Sequence, residues 1–302
     1  MVKLLIKKQL REIFRSWFVN QKTNQRRSKA GIIAFALLFV VLMVGVLGGM
    51  FTALSFSLAA PFSAAGVGWL HFSIMTLLAI LLGVFGSVFN TYSSLYLAKD
   101  NDLLLSLPIP PRALILSRLL SVYLMGLMYS ACVTVPAVVV WWIVAGPTAA
   151  NVVGGLLLIF LVSVFVLLLS CLLGWVVAKV SLRLKNKSFI VVLLSLLFIG
   201  LYYFFYFKAQ TLIQDLITNA VVYGGEVKRS AYPVYLTGRV GEGDWLAMLI
   251  VTAVMAVLTF LTWRVLSRSF LGIATATRRP CGWVWTTTKK PGSRMSKDTF
   301  AT

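Results

Sequence analysis

Residues 70–97, LHFSIMTLLAILLGVFGSVFNTYSSLYL, hold no Asp, Glu, Lys or Arg, and they belong to a charge-free region that runs from Lys29 to Lys99. His71 is the one titratable side chain of that region apart from its tyrosines. An uninterrupted apolar run longer than about 18 residues reads as a membrane span. The cluster Ala60-Pro61-Phe62-Ser63 divides the region, which gives span one at 31–56 and span two at 70–97. A second charge-free region, 119–178, divides at Gly146-Pro147-Thr148 into span three at 118–144 and span four at 152–178. Span five is expected at 188–207, ending in the aromatic run of residues 202–207, and span six at 245–267.

The totals agree with that pattern. The 302 residues are 60% hydrophobic and 12% charged, against about a quarter charged in soluble domains. A formal charge of +20 would suit nucleic acid. Here, however, the bases sit in a few segments that alternate with uncharged ones, so no nucleic-acid partner is expected. The fold class that follows is all-α: a polytopic membrane protein of six transmembrane helices.

Working outward, residues 1–29 form a basic amphipathic helix. Leu10, Ile13, Phe14, Trp17 and Phe18 make its apolar stripe, with Lys7, Lys8, Arg11 and Arg15 mostly off it. Such a helix lies in the headgroup plane of a bilayer. The six-span domain then covers 30–270. Residues 208–244 are its long mixed-charge loop, expected outside the cell, with a short surface helix over 211–222. Residues 271–302 read as a polar, basic, disordered tail.

Orientation follows from counting bases in short loops. The N-terminal segment carries nine Lys and Arg, and the connections 51–69 and 146–151 carry none. Lys99, Arg112 and Arg118 mark the 98–118 connection; Lys179, Arg183, Lys185 and Lys187 mark 179–187. Both termini and both basic loops are therefore expected in the cytoplasm.

Groups that could carry chemistry in the membrane are scarce. No Asp or Glu lies mid-span, and Pro136 is the one proline in the middle of a span. Both facts weaken an ion-coupled transporter. His71 has no obvious acid or cysteine to work with and reads as a packed or interfacial residue. Cys132, Cys171 and Cys281 make no metal or disulfide pattern. Neither a G-x-S-x-G elbow nor a G-x-x-x-x-G-K-[ST] phosphate loop is present. The chain is accordingly expected to be neither an enzyme nor a holder of cofactor or metal.

One charged stretch is left between spans two and three: residues 99–118, KDNDLLLSLPIPPRALILSR. Asp100, Asn101 and Asp102 suit a helix start, and Leu103, Leu104, Leu105 and Leu107 give that helix an apolar face. Pro108 ends it, and Pro110 and Pro111 suit the first turn of a helix running on from Ala113. Spacing leaves two readings level: a docking surface for a soluble partner, or a loop anchored at the lipid interface.

This stretch resembles the cytosolic loop of permease subunits of bacterial ABC-2 type exporters, in which a Lys-Asp pair, a leucine cluster and a proline follow the second span. The likeness extends architecturally over residues 1–270. It implies a multi-pass transport subunit of the bacterial cytoplasmic membrane whose ATP and Mg belong to a separate ABC ATPase subunit. Lys99, Asp100, Asp102, Leu103, Leu104, Leu107 and Pro108 would dock on that partner. Many proteins of this type carry two six-span halves. The resemblance thus implies one half that forms a homodimer or pairs with a second half, or a truncated product. The alternative is a non-transporting membrane scaffold or assembly factor that recruits a cytosolic partner through the same helix.

Overall fold

The computed structural model describes residues 28–91, 111–183 and 213–276, with a few single helical positions between residues 196 and 211. All regular structure among the described residues is helical. Five of the helices are long and apolar enough to cross a membrane. In hydrocarbon a backbone must satisfy its own polar groups, and a helix does so within one segment.

Helix α1 runs over Lys29–Ala64. Ser28 caps it, accepting at Oγ from the Gly31 N–H at 3.2 Å. Residues Val41–Gly48 are wound as a π-helix, and Lys29–Val40 buries no side chain. The last part is different: Phe51, Ser55, Leu58, Ala59 and Phe62 are buried, which is one face at helical spacing. The division expected at residues 60–63 is not where the chain turns. Pro61 lies inside the helix, and the stop is Gly66, at φ +69°. There Val67 N–H bonds to Phe62 O and Gly66 N–H to Ser63 O, the Schellman pattern, which needs a left-handed residue that glycine adopts without strain.

Helices α2 (Gly68–Thr91), α3 (Pro111–Ala145) and α4 (Ala149–Arg183) pack on one another as the centre of the bundle. Phe72, Met75, Val133, Val138, Trp141, Val162 and Val166 fill the space between them. Gly146 turns the chain between α3 and α4 at φ +82°, and Thr148 Oγ1 accepts from Asn151 N–H at 3.3 Å. That hairpin stands where the sequence put it. Small hydroxyl residues thread the core and bond back to the carbonyl one turn earlier, as Ser87 does to Gly83 O at 2.7 Å. Ser87 and Ser170 also share a hydrogen bond of 2.5 Å across α2 and α4. Such bonds and close packing, more than hydrophobicity, hold helices together in lipid.

The 208–244 segment is the main correction. Residues 213–218 are helical, within the surface helix expected over 211–222. Two further helices follow the turn at Asn219, however: α5 (Ala220–Ser230) and α6 (Tyr232–Glu242), and α6 is packed onto α2, α4 and α7. Helix α7 spans Trp245–Ala276, with Trp245–Leu266 of membrane-spanning character, close to the span expected at 245–267. The expected interfacial helix and the span at 188–207 lie outside the described residues, apart from Ser28 and Lys29 and single positions in the span. The tail expected from residue 271 starts later, because residues 271–276 continue α7, and the rest of it lies outside the described residues. Of the six expected spans, five are thus present as long apolar helices.

Candidate functional site

Lys99, Asp100, Asp102, Leu103, Leu104, Leu107 and Pro108 fall outside the described residues. Their flanks do not. Helix α2 ends at Thr91 and α3 starts at Pro111, in the proline-led first turn the sequence predicts. Helices α2 and α3 pack side by side, and Thr91 and Pro111 stand at the ends of these helices away from Gly68 and Ala145. Arg118, counted above as a loop base, is instead buried inside α3.

The opposite end holds the densest group of charged side chains among the described residues. Helix α6 ends in another Schellman turn: Asp244 N–H bonds to Arg239 O and Gly243 N–H to Val240 O, with Gly243 at φ +94°. The chain then enters α7 at once, and Asp244 Oδ1 accepts from Leu246 N–H at 3.1 Å. Arg239 donates to Asp244 Oδ2 from Nη2 at 2.9 Å and from Nε at 3.2 Å. Its Nη1 lies 3.4 Å from Glu242 Oε2. Glu242 in turn accepts from the Trp69 N–H in the first turn of α2. One guanidinium therefore joins two carboxylates, each capping the start of a different long helix, where a negative charge meets the positive end of the helix dipole.

The electrostatics follow from those contacts. Burial raises the Glu242 carboxyl above its ordinary value, and the attraction of Arg239 and the Trp69 N–H only partly offset it. Burial also pushes Asp244 upward. There, the Arg239 hydrogen bond and the Leu246 and Ala247 amides outweigh it, and its pKa is lowered. Desolvation acts against the charge on Arg239, yet its bond to Asp244 and its acidic neighbours hold its pKa above the usual value.

The two acids should behave oppositely. A lowered carboxyl gives stability above its unfolded pKa and loses it as pH falls through the folded one; a raised carboxyl is penalised as pH rises through the range between its two values. Asp244→Ala should cost about 1 kcal/mol at neutral pH, the worth of a helix cap, and less in acid. Glu242→Gln should leave the protein equally or more stable at neutral pH, and the gain should fade in acid. Thermal midpoints in detergent, followed from about pH 3 to pH 7 across the ordinary carboxylate range, check both. Equal losses from the two variants at neutral pH would contradict the assignment.

Around this network Trp141, Asn151, Gly243 and Trp245 line an open recess of 620 Å³. His71 lies deeper, fully buried, its ring stacked on Trp141 at 5.6 Å and its Nε2 3.4 Å from both Ser55 Oγ and Ala137 O. It stands as a packed histidine. Among the described residues no three His, Cys, Asp or Glu come together as metal ligands. The sequence signal for the charged end was the pair Gly243-Asp244, a left-handed stop followed by a helix cap.

No protein-family model, curated protein or solved structure matches the chain. What stands is a multi-helical protein with five apolar helices of membrane-spanning length among its described residues.

Proposed function

We propose that the chain is the membrane-spanning subunit of an ABC-2-like exporter, moving a substrate across the bacterial cytoplasmic membrane with ATP hydrolysed by a separate subunit. The observation that carries this reading is the stretch KDNDLLLSLPIP at residues 99–110, set between two long apolar helices that pack side by side. A capped, leucine-faced helix held at one end of such a bundle is what docking to a soluble ATPase requires physically. In this reading Lys99, Asp100, Asp102, Leu103, Leu104, Leu107 and Pro108 meet the ATPase.

Charge supports the same orientation. Lys29, Arg112, Lys179 and Arg183 lie toward the helix ends on the docking side. Positive residues concentrate on cytoplasmic loops, so the docking end faces the cytoplasm and α6 faces outside. Paired bundles would form the pathway, and ATP-driven movement of the docking helices would switch access between the two sides.

The test is an affinity pull-down of the chain from native membranes in mild detergent. Recovery of a P-loop ATPase, lost in the Asp102→Arg, Leu104→Glu double variant while membrane insertion persists, is the expected result. Unchanged co-purification of an ATPase with that variant would sink the docking assignment. Partner binding without nucleotide-dependent change in accessibility would turn the reading to the scaffold.

A further inference from the structure

Helices α2, α4, α6 and α7 line a 370 Å³ cavity, within the range of small-molecule pockets. Its floor is buried: Leu158, Leu161, Val162 and Met255. Its rim is exposed: Leu77, Val254 and Leu258 face outward between α2 and α7, toward hydrocarbon if these helices span a bilayer. Pro233, Val234, Leu236 and Thr237 of α6 roof it, and it extends to Ile80 and Phe165, each farther along its helix from the α6 end. The shape is an apolar slot open sideways, closed above by α6.

One polar group in that slot is unexplained. Thr76 is 4% exposed and lines the cavity. Its hydroxyl oxygen is buried with no hydrogen-bond partner among the described residues, and a turn of χ1 to another staggered position is what would present it to a ligand. The contrast within the same molecule is informative. Thr52, Ser73, Ser87, Thr91, Thr134 and Thr259 all bond to the carbonyl one turn earlier, which is how a hydroxyl avoids desolvation in a membrane helix. Thr76 does not. An unmade buried hydroxyl bond costs about 1–3 kcal/mol, so the slot suits a ligand with an apolar body and one acceptor placed at Thr76. That residue stands about 12 Å along α2 from Gly68 at 1.5 Å per residue, in the half of the helix nearest α6.

We propose that this cavity binds one ester-linked acyl chain of a bilayer lipid, the chain lying along the floor toward Phe165 and the Thr76 hydroxyl donating to the ester carbonyl. The proposal needs a membrane and no ATPase, so it stands or falls apart from the exporter reading.

The test uses the full chain in phospholipid vesicles containing a phospholipid with a photoactivatable diazirine on one ester-linked chain. After irradiation, adducts are mapped by mass spectrometry. Residues 158–165 and 250–258 should be labelled well above the plain lipid-facing surface of α1 at Ile33, Leu37 and Val44. Thr76→Val should reduce cavity labelling about fivefold, the loss of one neutral hydrogen bond of about 1 kcal/mol. An ether-linked version of the same probe should label weakly and be insensitive to that change. Val254→Trp places bulk at a rim position that is 52% exposed, where the core is not disturbed, and should close the slot to either probe. Labelling no stronger in the cavity than on α1 would overturn the proposal, as would labelling indifferent to Val254→Trp. Equal labelling of Thr76→Val and the parent chain would overturn the role of the hydroxyl and with it the ester.

Discussion

Gly238→Ala should dislodge α6 from the bundle. A Cβ at residue 238 would collide with the Trp69 carbonyl oxygen and with Ser73 Oγ, and both are fixed in place. The Ser73 hydroxyl lies 3.0 Å from Trp69 O and 2.9 Å from Val234 O, so its one proton is shared between α2 and α6. A methyl there pushes against helix backbone, which cannot swing aside as a flexible side chain would. Overpacking of that kind costs about 1–3 kcal/mol and occasionally more, and contact with backbone favours the upper end. Alanine recovers about 0.5–1 kcal/mol over glycine inside a helix, which leaves a net loss of about 2 kcal/mol. The thermal midpoint in detergent should fall by several degrees, and a cysteine placed at Val234 should become open to a membrane-impermeant maleimide. Gly225→Ala is the control, because nothing lies within 4 Å of its added Cβ; it should be neutral or stabilising. A Gly238→Ala protein as stable as its parent would show that α6 is not seated on α2.

The reasons why this contact escaped the sequence are physical. Apolar runs announce α2, α3, α4 and α7, because hydrocarbon tolerates few charges whatever the helices pack against. Helix α6 makes the reverse case. Its sequence, YPVYLTGRVGE, holds an arginine, a glutamate and two glycines, and by composition it belongs to a loop. Its place is set by tertiary contact: Gly238 on the Trp69 backbone and Gly241 on the face of the Phe72 ring. Only the glycine spacing hinted at a close approach, and glycine spacing is ambiguous until the partner surface is known.

Pro61 misled in the other direction. A proline in a helix loses one backbone bond, and within a membrane neighbouring groups can make this good, so α1 runs on to Ala64. The true stop was Gly66, whose left-handed φ a sequence cannot display. The docking stretch at 99–110 is a further kind of case. Its leucine face and caps are read from the sequence alone, and its residues lie outside the described ones.

Arg239→Ala carries the other large effect, and its interpretation turns on pH. The arginine side chain is 38% exposed, with Glu242 at 23% and Asp244 at 29%. Removing one partner of a fully buried pair costs about 3–5 kcal/mol. Solvent screening of these partly open groups reduces that, and about 1–2 kcal/mol is expected at neutral pH. The loss divides unequally. Asp244 keeps the Leu246 amide and faces water, so it tolerates the change. Glu242 is left with a desolvated carboxylate whose remaining support is the Trp69 amide. Its raised pKa should then rise further, and the protein should regain stability as pH falls and that carboxyl takes up a proton. Glu242→Gln in the Arg239→Ala background should likewise recover much of the loss at neutral pH, whereas Asp244→Ala in the same background should deepen it. Thermal midpoints of the single and double variants across the acid range separate these outcomes. Two results would mean that Arg239 acts by packing its methylenes and not by holding two helix caps together. One is a deficit that ignores pH; the other is an Arg239→Ala, Glu242→Gln double variant no more stable than Arg239→Ala alone.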